Sequence, residues 1–183
     1  MIELRGKAVA DAHKAILQEK VAAVGNSVIT MAVLLVGEDH GAHMYATFME
    51  KTAKNFGYGF VLKQLPETAT QDEVVAALHE LNTDPSIHGI LPLMPMPKHI
   101  DTEALIDMLD PKKDIDGLTT YNIGLVTAGK GGFAPCTAKA CMAILNHYNK
   151  LVVNFKPKDS LEIISKGRRL GFAHTIIDTF LRH

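Results

Sequence analysis

The sequence contains no tryptophan, and only two of its 183 residues are cysteines, Cys136 and Cys141. Two cysteines cannot build a disulfide framework, so we expect buried thiols in a reducing compartment. The longest apolar run, residues 31–36 with its flanks, is far shorter than the roughly 20 residues that span a bilayer. The first residues also lack the apolar core of a secretory signal peptide. The sequence therefore predicts a cytoplasmic protein with no membrane partner.

The chain has no excess of charge of either sign, because 19 Lys and Arg residues are balanced by 20 Asp and Glu residues. Non-specific nucleic-acid binding needs clustered basic residues, so we expect no nucleic-acid partner. Among the histidines, His40 and His43 are three residues apart, but a metal site needs three or four converging ligands. We therefore predict no metal site. A Gly-x-Ser-x-Gly motif is also absent, and the sequence around Cys136 does not point to a catalytic base, so no nucleophile is indicated.

Helical and strand patterns alternate along the first two thirds of the chain. Continuous apolar stretches rich in β-branched residues favour strands buried in a parallel sheet, which we predict over 28–36, 60–65 and 87–91. The predicted helices span 8–23 and 41–55, one that begins with a capping box at Thr70 and Glu73, and one over 102–109 capped by Asp101. This alternation predicts an α/β fold with three layers, a mainly parallel sheet and right-handed crossovers.

The pattern changes after Pro111. Residues 112–132 have several glycines and no clear period, which predicts a long connection. Thr137 is then expected to cap a helix that ends near Asn149. We therefore assign residues 1–150 to one domain.

Residues 151–183 predict a linker and a truncated Rossmann-like βα unit, with a strand over 160–165 and a helix over 171–182. The turn between them has the order of a dinucleotide-binding turn, although it contains only two glycines. A phosphate could meet the helix N-terminus there, while a plain βα connection is the alternative. The candidate contacts are Lys166, Gly167, Arg168, Arg169 and Gly171.

Ligands of α/β sheets bind beyond the carboxyl ends of the strands, where this chain carries unusual residues. Tyr45 follows the first strand, and its ring could stack on a planar ligand or pack half-buried against the protein. Asp114 and Asp116 alternate in a predicted extended loop, which places both carboxylates on one side. A carboxylate there could accept paired hydrogen bonds from an aminopyrimidine edge. The alternative is a solvated acidic turn in which Gly117 adopts a positive φ.

Several short motifs follow one another in order between residues 5 and 150. They are Val33-Leu34-Leu35-Val36-Gly37 followed by Tyr45, Leu81-Asn82, His88-Gly89-Ile90-Leu91 with Pro95-Met96-Pro97-Lys98-His99-Ile100-Asp101, Asp110-Pro111-Lys112-Lys113-Asp114-Ile115-Asp116-Gly117, Tyr121-Asn122-Ile123-Gly124, and Pro135-Cys136-Thr137. In this order they resemble the motifs of the bifunctional methylenetetrahydrofolate dehydrogenase/cyclohydrolase family.

The resemblance implies a folate-binding catalytic domain that faces an NAD(P)-binding domain. It implies that Tyr45 lines the folate site and Asp116 binds the pterin, in a substrate site made of Tyr45, Pro95, Pro97, Asp116, Gly117 and Thr137. The implied reaction is the oxidation of 5,10-methylenetetrahydrofolate to the methenyl form with NADP or NAD. Residues 166–171 would then belong to an incomplete cofactor domain, which would weaken any homodimer.

Two departures from the family concern the cyclohydrolase step. Met49 stands where the family has a lysine, and Leu93 stands where it has a glutamine. Neither side chain can activate water, and Lys51 lies about 160° around the helix from Met49, too far to replace the lysine. We therefore expect the cyclohydrolase step to be lost. The alternatives are a non-catalytic folate-binding or interaction relic of the family, or the product of a shortened gene.

Overall fold

A computed structural model describes residues 4–24 and 29–149. These residues fall into two compact units, one over Gln18–Phe133 and one that combines residues before 18 with residues after 133. The predicted strand over 160–165, the helix over 171–182 and the cofactor candidates Lys166, Gly167, Arg168, Arg169 and Gly171 lie outside the described residues.

The larger unit is built on a parallel sheet of three strands, as predicted. The strands are β1 (Thr30–Val36), β2 (Gly59–Leu65) and β3 (Gly89–Pro92), and the order in the sheet is β2-β1-β3. The central strand β1 pairs in parallel with both neighbours, so that its carboxyl end lies beside theirs. The structure therefore confirms the α/β class with a small open parallel sheet.

Alternate residues of β1 pack into two different apolar clusters, because successive side chains of a strand point to opposite faces. Ala32, Leu34 and Val36 pack with residues of helix α3 (Gln71–Thr83). Val33 and Leu35 pack with residues of helix α2 (His40–Phe56). The sheet of the larger unit thus lies between helices on its two faces, as expected for three layers.

The helix caps predicted at Thr70 and Asp101 are both present. The Thr70 side chain accepts from the Glu73 amide at 3.3 Å, and the Glu73 carboxylate accepts from the Thr70 amide at 2.7 Å, which completes the predicted capping box. The hydrogen bonds from Thr70 hold the pKa of Glu73 below its ordinary value. Asp101 caps α4 (Thr102–Asp107), as predicted, by accepting from the Ala104 amide.

Three predictions near the end of the described chain are wrong. Cys136 and Cys141 are both exposed, and not buried as expected. The connection over 112–132 contains a helix, α5 (Thr120–Thr127). Thr137 does not cap its helix, because α6 (Cys136–Asn149) begins one residue before it and the Lys139 amide already bonds to the Pro135 carbonyl. The N-terminal helix α1 (Gly6–Ala23) starts slightly earlier than expected. Arg5 and Tyr148 exchange hydrogen bonds in the smaller unit.

No helix among the described residues is long and apolar enough to cross a membrane.

Two glycines of the larger unit provide a matched test of its packing. A Cβ at Gly89 would collide with the Ile115 side chain, whereas a Cβ at Gly124, inside α5, would meet no atom within 4 Å. We expect Gly89→Ala to lower the free energy of unfolding by about 1–3 kcal/mol through overpacking. Gly124→Ala should raise it by about 0.5–1 kcal/mol because alanine is the better helix former. Urea unfolding followed by circular dichroism measures both, and equal effects would contradict this packing.

Candidate functional site

Three segments at the carboxyl end of the sheet converge on one apolar cluster. The cluster is formed by the buried residues Val33, Leu35, Ala42, Ala46, Leu91 and Leu93, and Met31, Met49, Phe60 and Ile115 pack against it. Met49 comes from α2, Leu93 from the loop after β3, and Ile115 from the turn that carries Asp116. The cluster therefore connects the three segments in which the sequence predicts functional residues.

Tyr45 lies on α2 beside this cluster and is half exposed, at 48%. The α2 helix begins directly after β1 because Asp39 caps it, accepting from the Ala42 amide at 2.8 Å. Ala42 and Ala46 face the sheet, which leaves the Tyr45 ring at the border between the buried face and solvent. This position leaves part of the ring open for contact with a ligand.

Met49 and Leu93, where the resemblance implies a lysine and a glutamine, lie on the buried side of the site. Leu93 is only 5% exposed, and its amide donates to the Leu34 carbonyl at 2.9 Å. Met49 is partly buried against the same cluster, while Lys51 is exposed. The helix geometry thus agrees with the prediction that Lys51 does not occupy the place of Met49.

The proline-rich loop continues from Leu93 and packs against Gly37, which follows β1. The Met94–Pro95 peptide bond is cis, and Pro95 is exposed. Pro97 lies close to Gly37, where a Cβ would sit 3.4 Å from the proline ring. Gly37 has φ 92°, so a side chain there would be strained as well as crowded.

Asp114 and Asp116 have different environments, contrary to the prediction of one extended loop with both carboxylates on one side. Residues 115 and 116 form a turn, Asp114 is completely buried, and Asp116 is half-buried. The expectation that Gly117 supplies a positive φ is confirmed, since its φ is 66°. A solvated acidic turn describes neither the buried Asp114 nor the partly buried Asp116.

The Asp114 carboxylate accepts four hydrogen bonds. One oxygen accepts from the Leu118 amide at 3.0 Å, and the other from the Thr119 amide at 2.9 Å, the Thr119 hydroxyl at 2.8 Å and the Asn122 side chain at 2.9 Å. Burial acts to raise the pKa of Asp114, but these bonds outweigh it and hold the pKa below its ordinary value. The carboxylate thereby fixes the end of the turn that carries Asp116.

Lys113 holds the beginning of the same turn. Its ammonium group donates to the carbonyls of Leu81, Asn82 and Asp84 at 3.1, 2.7 and 2.7 Å, at the C-terminal end of α3. Its own carbonyl accepts from the Ile90 amide at 2.7 Å, which ties the turn to β3. The Asp116 carboxyl makes no hydrogen bond to any described residue, so it is available to a ligand.

Two further predictions concern Thr137 and a metal site. Thr137 is exposed on α6, in the smaller unit. His43 is one of the two histidines considered above as metal ligands. Its Nε2 atom lies 3.2 Å from the Gly37 carbonyl oxygen and 3.5 Å from the Glu38 carboxylate. Among the described residues, no group of three or more His, Cys, Asp and Glu side chains could hold a metal ion.

Sequence reasoning overlooked Phe48, which is 60% exposed on α2. Its ring centroid lies 6.5 Å from that of Tyr45, with the ring planes inclined by 27°. The i, i+3 spacing of two aromatic residues on a predicted helix was the available signal, because side chains at that spacing are neighbours.

A family model described as "Tetrahydrofolate dehydrogenase/cyclohydrolase, catalytic domain" matches residues 4–116. The chain belongs to the tetrahydrofolate dehydrogenase/cyclohydrolase family. The match includes Tyr45, Met49, Leu93 and Asp116, and ends before Gly117 and Thr137.

Curated relatives agree with this assignment. The chain is 44% identical over 119 residues to the bifunctional protein FolD of Campylobacter concisus, covering 65% of this chain and 42% of the relative. It is 37% identical over 168 residues to that of Campylobacter fetus subsp. fetus, covering 91% and 58%. The chain therefore spans about half the length of the curated relatives it matches.

Solved structures of family members have the same fold. The bifunctional enzyme FolD from Campylobacter jejuni superposes with a TM-score of 0.74 at 33% identity, covering 80% of this chain and 53% of that one. A 5,10-methylenetetrahydrofolate dehydrogenase from the silkworm Bombyx mori gives 0.76 at 32%, covering 80% and 51%. The Trypanosoma brucei enzyme, solved with NADP cofactor and an inhibitor, gives 0.73 at 28%, covering 79% and 50%.

The two aspartates of the turn make a matched pair for measuring stability. Asp114→Asn replaces a buried charged acceptor with an amide that presents hydrogens to the donors around it. We expect it to lower the free energy of unfolding by about 2–3 kcal/mol. Asp116→Asn should change it by less than about 0.5 kcal/mol, because that carboxyl accepts no bond from the described residues. Urea unfolding at neutral pH measures both variants.

The pH dependence of the free energy of unfolding provides the control for the Asp114→Asn measurement. Because the folded pKa of Asp114 lies below its unfolded value, its contribution is complete above the unfolded pKa and is lost as the pH falls through the folded pKa. The difference between the unmodified chain and Asp114→Asn should therefore begin to narrow below about pH 5 and keep narrowing as the pH falls below about 4, the ordinary pKa of an aspartate. A difference that stays constant, or an equally unstable Asp116→Asn, would contradict this assignment.

Proposed function

We propose that the chain binds a reduced folate at the carboxyl edge of its sheet and takes part in oxidising 5,10-methylenetetrahydrofolate to the 5,10-methenyl form. Family membership supports the substrate class, since the matched relatives are named as bifunctional FolD proteins. The observation that carries the proposal is the Asp116 carboxyl, held on a fixed turn and free of bonds to the described residues. A half-exposed Tyr45 at the same edge supplies an aromatic face.

Each residue has a separate task in this proposal. The Asp116 carboxylate accepts paired hydrogen bonds from the aminopyrimidine edge of the pterin, and this bidentate contact fixes the ring's orientation. Tyr45 contacts the ligand through its ring face. The oxidised carbon lies between two nitrogens whose lone pairs assist loss of hydride, so the protein acts chiefly by positioning. Water activation is not required for this step.

NADP or NAD is the proposed cofactor, and the chemistry that it supplies is acceptance of the hydride. Solved relatives include an enzyme with NADP bound. The candidate contacts, Lys166, Gly167, Arg168, Arg169 and Gly171, lie outside the described residues, and no step is assigned to them.

A folate-binding protein without catalytic activity is the second candidate. The observation in its favour is that Met49 and Leu93 both belong to one apolar cluster, so the site has lost polar groups on its buried side. Folate binding without any NAD(P) reduction in the presence of methylenetetrahydrofolate would favour this candidate. Reduction of NAD(P), followed by the absorbance at about 340 nm, would favour the dehydrogenase.

Asp116 provides the direct test of the folate site. In titration calorimetry with 5-formyltetrahydrofolate, we expect micromolar binding, weakened at least about tenfold by Asp116→Asn because two charge-assisted hydrogen bonds are lost. Glu80→Gln is the control, since it removes a carboxylate near the C-terminal end of α3 that, among the described residues, pairs with Lys63 alone. No binding by the unmodified chain at millimolar folate would overturn the proposal.

We further propose that the cyclohydrolase step is lost, because Met49 and Leu93 offer no proton donor, acceptor or charge. The unmodified chain should not accelerate the hydrolysis of 5,10-methenyltetrahydrofolate, and Met49→Lys combined with Leu93→Gln should restore measurable hydrolysis. Because Leu93 is buried, the free energy of unfolding of the double variant should also be about 1–3 kcal/mol lower than that of the unmodified chain.

Lys51→Met is the matched control for this pair of substitutions. It should leave hydrolysis unchanged, because Lys51 is exposed on another side of α2. Rapid hydrolysis by the unmodified chain that is lost in Lys51→Met would show that Lys51 replaces the family lysine. That result would contradict the proposed loss.

A further inference from the structure

The apolar face of α2 extends beyond its buried side. Ala42 and Ala46 are buried and Met49 is partly buried, but the face continues through Tyr45 to Phe48, which is 60% exposed. On an ideal helix, Phe48 lies about 60° from Tyr45, on the side away from Met49. An exposed phenylalanine next to a candidate binding residue leaves apolar area in contact with water.

Tyr45 and Phe48 form an aromatic pair with a defined geometry. The ring centroids are 6.5 Å apart and the ring planes are inclined by 27°, so the two faces point in nearly the same direction. Tyr45 lies in the first half of α2 and Phe48 at its middle, and the helix starts shortly after the carboxyl end of β1. Met49, which follows Phe48 on α2, packs against the same apolar cluster as Ile115 of the Asp116 turn, and Leu93 is part of that cluster.

A reduced folate presents two kinds of ring to such a site. The pterin has a polar edge, which suits the Asp116 carboxylate. The benzoyl ring has no hydrogen-bonding edge of that kind, so it is recognised through its face, and aromatic side chains contact rings in offset or edge-to-face arrangements. Two side chains with nearly parallel faces offer more area to this ring than Tyr45 alone.

We propose that Phe48 is a specificity-determining residue of this chain, which extends the Tyr45 surface so that the aromatic pair binds the benzoyl ring of the folate. This inference rests on the proposed folate site. It assigns the pterin to Asp116 and the benzoyl ring to the aromatic pair. Folates that carry the benzoyl group are thereby favoured over free pterins.

The test compares two ligands by titration calorimetry. The ligands are 5-formyltetrahydrofolate, which has the benzoyl ring, and 6-methyltetrahydropterin, which lacks it. We expect Phe48→Ala to weaken binding of 5-formyltetrahydrofolate about three- to tenfold and to leave binding of the pterin unchanged. Phe48→Tyr should retain the affinity, because it keeps the ring.

Phe56→Ala is the matched control, since Phe56 is the last residue of α2 and its ring pairs with that of Tyr58, which lies beyond the helix. It should change neither affinity. Unchanged binding of 5-formyltetrahydrofolate by Phe48→Ala would overturn this inference while the folate site stands, and an equal loss for both ligands would also overturn it. Absence of binding by the unmodified chain would overturn both proposals.

Discussion

The buried carboxylate of Asp114 is the interaction on which the geometry of the site depends. A charged group without solvent is stable only when its oxygens accept hydrogen bonds, and here two backbone amides, a hydroxyl and a side-chain amide supply them. Those donors come from residues 118–122, so the carboxylate joins the turn to the start of α5. Lys113 fixes the other side of the turn on α3. Asp116 is therefore oriented by its neighbours and does not need its own carboxylate for folding.

The sequence predicted well those features that depend on nearby residues. The capping box of Thr70 and Glu73 and the Asp101 cap involve partners three residues apart, and both are present. The strand β1 was recognisable because its residues 32–36 are buried on both faces, which requires a continuous apolar run. These features depend on residues that are close in the sequence, and the tertiary contacts of the fold leave them unchanged.

Features that depend on distant contacts were not predictable in the same way. The α5 helix contains Gly124 and β-branched residues, so its helix propensity is low, and it owes its position to Asn122 bonding to Asp114. The alternation of Asp114 and Asp116 suggested equivalent carboxylates, but the turn buries Asp114 and leaves Asp116 partly exposed. Phe48 was overlooked because a single exposed aromatic residue does not indicate a binding site. Its packing beside the Tyr45 ring is visible only in the structure.

Ligand recognition and hydrolytic chemistry place opposite demands on this fold. Leu93 and Met49 contribute to an apolar cluster, and burying such side chains stabilises a protein by about 1.5–3 kcal/mol each at full burial. A lysine and a glutamine in their places would have to keep polar atoms near that cluster, which is why active sites are often less stable than they could be. Three residues proposed to contact the ligand lie outside the buried core: Asp116, Tyr45 and Phe48. Their presence should therefore lower the free energy of unfolding only slightly. Under the proposed function, the chain gives up water activation, gains stability in its core and keeps the groups that we propose to contact a folate.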